Sequence, residues 1–419
     1  MDDVGVPEAC SDEAPVILGM APLVRMAYQQ ADLSAIWNDL LSRTGANPRD
    51  AAALMDMSVI LQVTGHRDKG LELQRAALRE KRCYRRVHGR GTGLRILVFA
   101  AEGDFMANTP FDFLFEGSDF SLYIYYIDAH TPHLRDAPPH DAAFVAVGES
   151  DANAPVLENL QRLLKDLRVP IVNGAPRRIL ALTRDTVASM FAASDCVFAP
   201  PTVIADRRTL RDLADGQTGI AALLPNGVFP IIVRPHGTHA GEGLEKIDQP
   251  SAMANYLERQ AGQSFYLAPF VDYSGPDGLF RKQRIAIIDG KAFPGHWATS
   301  ARWVVHYLSA GMLENDSWRA EEAAWMANFD TDFAVRHARA FELLHRRIGL
   351  DYFLIDCAET SDGRLLLFEA QVAMILHNMD PVEIFPYKQP AMRKLFRAFQ
   401  AAFQRKCSPP LERAGAICC

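Results

Sequence analysis

Two stretches in the C-terminal third leave the chain the least freedom: RKQRIAIIDGKAFP (281–294) and DYFLIDCAETSDGRLLLFEAQVAM (351–374). Each is a β-rich run interrupted by an Asp-Gly pair, Asp289-Gly290 in the first and Asp362-Gly363 in the second. Asp-Gly accepts the positive φ of a tight two-residue loop, so both runs are predicted as antiparallel strand pairs. In the second pair, Asp356 and Glu369 fall on opposite sides of the turn and come side by side. Gln371, two residues beyond Glu369, shares its face because side chains alternate along a strand. Two carboxylates and an amide oxygen on one surface suit Mg²⁺, a hard ion that retains waters and bridges to phosphate oxygens. The alternative is a carboxylate that merely solvates a sheet edge.

A third run, VFPIIVRPHGTHAGEG (228–243), is a strand ending in Arg234 and followed by Gly237, Gly241 and Gly243. Such a loop can bring a cation and backbone N–H groups around a polyphosphate, although its spacing is not that of a Walker A motif. Read structurally, the same run is a glycine-rich hairpin with a surface arginine. His236 and His239 flank the loop, and His236 is the stronger candidate because it adjoins Arg234. Between these elements, GHWATSARWVVHY (295–307) concentrates His296, Arg302 and His306 with two tryptophans. Arg302 could pair with an acid while the histidines orient or deprotonate a nucleophile. The alternative is a packed loop with structural histidines.

The remainder of the 419 residues supplies the setting. At about 100 to 200 residues per domain the chain holds two to four structural units. From about Ala21 to Tyr84, Leu33, Ile36, Trp37 and Leu40, then Leu54, Met57, Ile60 and Leu61, recur at helical spacing. MDMSVILQVTGHRDKGLELQRAAL reads as helix, turn and helix, resembling one tetratricopeptide-like unit. From Arg95, short β-rich runs alternate with helical stretches and indicate a parallel αβ domain, whose first loop, Gly103 to Pro110, lies where open sheets place ligands. A hydrophobic fraction of 49% against 23% charged residues indicates an ordinary folded core. The net charge of −7 gives no global field for nucleic acid or an acidic membrane. No run approaches a membrane span. The first residues lack a secretory pattern and the seven cysteines do not form a spaced framework, so a cytoplasmic location is expected. The terminal Cys418-Cys419 pair reads as part of a loose tail.

The order of these segments resembles the ATP-grasp superfamily over roughly residues 92 to 400. The resemblance assigns Arg234 to the ATP phosphates and Gly237, Gly241 and Gly243 to a loop covering them. It places transferred phosphate or acyl phosphate on Arg284, and Mg²⁺ on Asp356, Glu369 and Gln371, the last in place of the family's asparagine. Where many members carry a lysine in an early Asp-Lys helix, this chain has Thr183-Arg184-Asp185, and Arg184 takes that role. The adenine side falls on Pro269, Phe270 and Val271, with Asp272 toward ribose, where the family usually has a glutamate before an aromatic residue. His236 joins the nucleotide contacts, and His296, Arg302 and His306 join Arg234 and Arg284 as catalytic candidates. The implied fold class is α/β with an α+β ATP-grasp domain: a helical segment (1–90), a pre-ATP-grasp parallel αβ domain (91–177), ATP-grasp subdomains (178–405) and a tail (406–419).

The expected function is an ATP- and Mg²⁺-dependent carboxylate ligase that forms an acyl phosphate and then an amide with an amine. The N-terminal helices leave room for a peptide or small-protein substrate. A homodimer is compatible with such a fold, and nothing in the sequence requires one. Two alternatives stand beside this reading: a phosphotransferase that stops after phosphate transfer, and a non-catalytic peptide-binding protein.

Overall fold

The computed structural model describes residues 14–238 and 241–408. His239, Cys10, Cys418 and Cys419 lie outside the described residues. The chain divides into two units. One holds the described residues through Val147, Glu158–Gly174 and the chain from Phe396; the other holds Gly148–Leu157 and Ala175–Leu395.

The first unit begins with helices α1 (Met20–Tyr28), α2 (Ser34–Ala46), α3 (Ala51–Val63) and α4 (Arg67–Glu80). Asp50 caps α3 by accepting the Ala53 amide at 3.0 Å, which satisfies an N–H that the first helical turn leaves without a partner. Leu23, Leu40, Met57 and Ile60 supply the shared core of the helices. The helical reading to Tyr84 runs too far. The last helix stops at Glu80, and Cys83–Val87 form strand β1, paired antiparallel with β3 (Ser121–Tyr126). That strand is selected by a partner almost forty residues away, a signal absent from its own five residues. β2 (Arg95–Ala100), β4 (Ala142–Val145) and β5 (Ile171–Val172) complete a sheet ordered β1-β3-β2-β4-β5, parallel apart from β1.

The apolar runs of β2 and β4 are buried, as strands covered on both faces require. Phe399 and Phe403, on the helix Lys388–Cys407, pack edge-on or tilted against Phe115 and Phe144. Two buried carboxylates pin the start of the unit: Asp56 accepts the Leu18 and Gly19 amides at 2.9 and 3.2 Å, and Asp112 accepts that of Ala21 at 2.6 Å. The loop after β2 is similarly anchored. Gln74 bonds both the N–H and the carbonyl of Gly103, and Asn108 does the same at Ala101.

The second unit contains two sheets. β7 (Val203–Asp206), β10 (Ser264–Pro269), β8 (Ile231–Pro235) and β9 (Glu245–Ile247) form an antiparallel sheet in that order. Its Phe265 packs with Leu210, Met253 and Tyr256 of the helices behind it. The other sheet runs β12 (Lys291–Ser300), β11 (Phe280–Ile288), β13 (Tyr352–Glu359), β14 (Leu365–Gln371), β6 (Val197–Phe198), with β6 parallel and the rest antiparallel. Both expected strand pairs are present. Asp289 and Gly290 carry φ of 47° and 79°, the positive values expected of their two-residue turn. β7 and β9 were not anticipated, because runs of four and three residues carry little periodicity of their own. Among the described residues no helix is long and apolar enough to cross a membrane.

The helix Ala338–Ile348 ends at Gly349, whose φ is +64°. The Arg178 guanidinium donates there to the Arg347 and Ile348 carbonyls at 3.3 and 3.1 Å, and a Cβ on residue 349 would lie 2.3 Å from its Nη1. Gly349→Ala should therefore destabilise this unit by at least about 1–2 kcal/mol, the cost of a left-handed backbone for an L-residue, with the displacement of Arg178 adding to it. Urea unfolding followed by tryptophan fluorescence would read this, since Trp297, Trp303, Trp318 and Trp325 all lie in the second unit.

Candidate active site

The pairing register places four predicted residues in one row across the second sheet. His296 on β12 faces Arg284 on β11, Arg284 faces Asp356 on β13, and Asp356 faces Glu369 on β14. Directly paired residues on neighbouring strands point to the same face, so backbone pairing alone brings these groups together. Arg284 grips Asp356 through Nε to Oδ1 at 2.7 Å and Nη2 to Oδ2 at 3.0 Å, and its Nη1 donates to the Ile375 carbonyl at 2.8 Å. Lys282, two residues earlier on the same strand face, adds a contact to Asp356 Oδ2 at 2.9 Å. Sequence reasoning missed Lys282, although the period-two rule that linked Glu369 to Gln371 applies equally to Lys282 and Arg284.

These pairs decide the charge state. Burial opposes ionisation of Asp356, yet the charges of Arg284 and Lys282 outweigh it and hold the carboxyl well below the usual carboxylate range. Burial also acts against Glu369, and the guanidinium of Arg184, hydrogen-bonded to its Oε2, is the main influence that brings its pKa below the ordinary value. Arg184 starts the helix Arg184–Phe191 and also lies 5.9 Å from the centre of the Tyr266 ring. Tyr266, on β10, carries His236 against its other neighbours at a ring separation of 4.8 Å, and His236 Nδ1 lies 3.3 Å from Asp151.

Arg234 sits near the end of β8 and is 8% exposed. Its Nη2 donates to the carbonyl of Thr238 and to its hydroxyl, tying the guanidinium to the glycine loop, while its buried Nε has no hydrogen-bond partner among the described residues. Burial, with the nearby charge of Arg184, pushes its pKa down to about 10, so it remains a cation at neutral pH. Gly237, Gly241 and Gly243 all take positive φ. At Gly243 a Cβ would meet Pro235 Cδ at 2.6 Å, so the return of the loop against its own strand excludes a side chain there. An orphaned, buried guanidinium N–H beside a glycine loop fits a phosphate oxygen. The cations Arg184, Arg234, Lys282 and Arg284 stand among the carboxylates Asp356, Glu369 and Glu149, and charge-assisted donors of this kind suit a polyphosphate.

The proposed metal set occupies alternate register positions on one face, Asp356 with Glu369 and Leu354 with Gln371. Among the described residues there is no group of three or more His, Cys, Asp or Glu arranged to hold a metal. Two carboxylates and an amide instead fit the way Mg²⁺ is held when substrate phosphates and water complete its shell. Gln371 gives its Nε2 to Glu149 at 2.9 Å, which leaves its amide oxygen on the other arm. Glu149 is a second residue that sequence reasoning missed, and burial raises its pKa. It follows β4 by only a few residues and is joined to Gln371 across 222 positions of sequence, so no local pattern could have flagged it.

Pro269 ends β10, and the Phe270 N–H donates to the Pro230 carbonyl at 3.0 Å. Lys246 of β9 lies 4.7 Å from the centre of the Phe270 ring, and Trp303 meets that ring edge-on at 5.7 Å. Val271 follows in the same irregular segment. Asp272 accepts the Ser274 amide and hydroxyl at 3.0 and 2.7 Å, bonds that lower its pKa. His296 stacks on Tyr307 at 4.3 Å, and burial followed by the charge of Arg284 drives its pKa well below the ordinary value. His306 is half-buried and is lowered by burial and then by Lys282 and Arg284. Arg302 is exposed on the segment between them, and only its backbone N–H, to Ser300 at 3.1 Å, is bonded among the described residues.

No protein-family model matches the sequence, and no curated protein matches it. Among solved structures the chain is similar to the D-alanine–D-alanine ligase from Bacillus anthracis complexed with ATP, at 11% identity over 75% of this chain and 98% of that one, with a TM-score of 0.46. It is similar to the D-alanyl-alanine synthetase A from Vibrio cholerae at 12% identity over 75% and 99% of the two chains, TM-score 0.45. A RimK domain ATP-grasp protein from Sphaerobacter thermophilus gives 14% identity over 74% and 98%, TM-score 0.41. The sheets follow one another in the order expected from the sequence: a mainly parallel sheet, then an antiparallel sheet bearing the cation and glycine loop, then antiparallel strands bearing the arginine and acids. The distant likenesses identify no substrate.

The Asp356 pairing has a pH signature. A carboxyl whose folded pKa lies below its unfolded value, about 3.9, contributes stability that is complete above about pH 4 and is lost as the pH falls further. Asp356→Asn should cost about 2–4 kcal/mol near neutral pH because it leaves the half-buried Lys282 and Arg284 without their counter-charge. In urea unfolding, the gap between variant and wild type should narrow as the pH is lowered below about 4.

Proposed function

We propose that this chain is an ATP-dependent carboxylate–amine ligase. The observation carrying the reading is the row of Arg284, Asp356 and Glu369 in register, with a buried Arg234, beside a glycine loop, whose Nε has no partner among the described residues. Such an arrangement is suited to stabilising charge on a phosphoryl group during transfer, where fixed cations act without reorganisation. Arg234 and the backbone of the glycine loop hold the ATP phosphates, Arg184 assists, and the segment Pro269 to Asp272 meets the nucleoside. Asp356, Glu369 and Gln371 would hold Mg²⁺, which when bound neutralises phosphate charge.

A substrate carboxylate oxygen attacks the γ-phosphorus, the bond from that phosphorus to the β,γ-bridging oxygen breaks, and ADP leaves. The amine nitrogen then bonds to the acyl carbon, and the carbon–oxygen bond to phosphate breaks. Arg284 stays beside the phosphoryl oxygens through both steps. His296, a neutral imidazole at pH 7, accepts the proton that the nitrogen sheds once bonding to carbon has made it acidic. Arg302 and His306 belong to the acceptor side, with Arg302 available to a substrate acid. Because α1 to α4 precede the sheets, peptides belong in the substrate screen beside free acids.

Binding of a non-hydrolysable ATP analogue by the purified chain, with and without Mg²⁺, tests the reading. Mg²⁺-dependent binding by the wild type and its loss in Arg234→Ala are expected. Absence of binding by folded wild-type protein would overturn the proposal in favour of a peptide-binding protein. Glu369→Gln, which keeps shape and removes charge, should abolish Mg²⁺-dependent ATP turnover in a protein that still folds, with a lower unfolding temperature because Arg184 loses its counter-charge. A stable phosphorylated product without an amide would mark a phosphotransferase.

A further inference from the structure

Behind β12 lies a buried ionic cluster that the proposed chemistry does not use. Lys388, Glu322 and Asp380 are 3%, 0% and 8% exposed, and Lys388 Nζ stands 3.3 Å from Glu322 Oε1 and 3.1 Å from Asp380 Oδ2. A cluster so deeply buried is costly to assemble and rarely improves on an apolar core of the same shape, which points to a role in arrangement. Two chains of contact leave Lys388, and both end on one dipeptide. Through Glu322, whose Oε1 also accepts the Trp297 N–H at 3.0 Å, the first reaches the backbone of β12 just after His296. Through the Tyr307 ring, 3.9 Å from Nζ, the second reaches the imidazole stacked on that ring. Tyr387 completes the clamp by donating to Glu322 Oε2 at 2.7 Å, and the Phe385 ring lies 4.6 Å from Nζ.

We propose that Lys388 is a positioning residue for His296, fixing the ring plane through Tyr307 and the supporting strand through Glu322. A cation over an aromatic face is held by the ring's negative charge distribution, so Lys388 restrains Tyr307 and Tyr307 in turn restrains the imidazole. The catalytic part of this assignment, though not the geometry, rests on the ligase reading. Burial raises the pKa of Glu322 to about 8 and that of Asp380 to about 6, and it lowers that of Lys388. The cluster therefore tolerates concerted neutralisation better than removal of a single partner.

The test is the imidazole NMR spectrum of full-length protein labelled at histidine, with His296 assigned from His296→Gln. Tyr307→Phe keeps the ring and should leave the His296 ring-current shift in place; Tyr307→Leu should abolish it. The triple variant Glu322→Gln, Asp380→Asn, Lys388→Met preserves shape without buried charge, so it should fold and still displace the His296 resonances. Unmoved resonances in Tyr307→Leu or in the triple variant, or a triple variant that does not fold, overturn the proposal. Binding of the ATP analogue, measured on the same proteins, should remain at the wild-type level in Tyr307→Leu. Its absence in the wild type would strike the ligase reading alone, since the spectrum reports the placement of His296 independently.

Discussion

The double grip of Arg284 and Lys282 on Asp356 is the interaction on which the second unit is organised. All three side chains lie on neighbouring strands and are largely withdrawn from water. Removing charges from water is expensive, and the cost is recovered only when geometry is good and each polar atom is satisfied. Here the sheet itself supplies the geometry: a one-residue slip of β13 against β11 would turn Asp356 to the opposite face and strand both cations. The ion cluster therefore specifies register as well as charge.

The same pairing explains how cations and carboxylates coexist in one cluster. Asp356 is already balanced by its own strand neighbours and Glu369 by Arg184, and among the described residues the Arg234 Nε has no acceptor. Charges positioned before a ligand arrives need not reorganise when it reacts, which is the principal route by which fixed groups stabilise a developing phosphoryl charge. His296 extends the row to a neutral group beside Arg284.

Much of this arrangement was legible in the sequence because it depends on local rules. The Asp-Gly turns announced both strand pairs, and alternation along a strand joined Glu369 to Gln371. The glycine loop after Arg234 was visible for the same reason, a conformational demand recorded in residue type. What escaped notice depends on distant partners. Tyr84 belongs to a strand because β3 pairs with it, although its neighbours continue a helical region. Glu149 and Lys388 acquire meaning only through Gln371, Glu322 and Tyr307, contacts that no window of sequence contains. Lys282 is a different omission, since its strand face was deducible from that of Arg284.

β12 closes one side of its sheet, where the backbone has N–H groups that no further strand satisfies. An uncovered border of this kind is a template for another chain, and proteins commonly blunt it with charge or cover. Glu322 does so from the helix Asp316–Asn328 by taking the Trp297 N–H with a buried carboxyl oxygen. The group that holds the strand at Trp297 thus also covers part of a border open to intermolecular strand addition. One hydrogen bond serves both the position of β12 and the cover of its border.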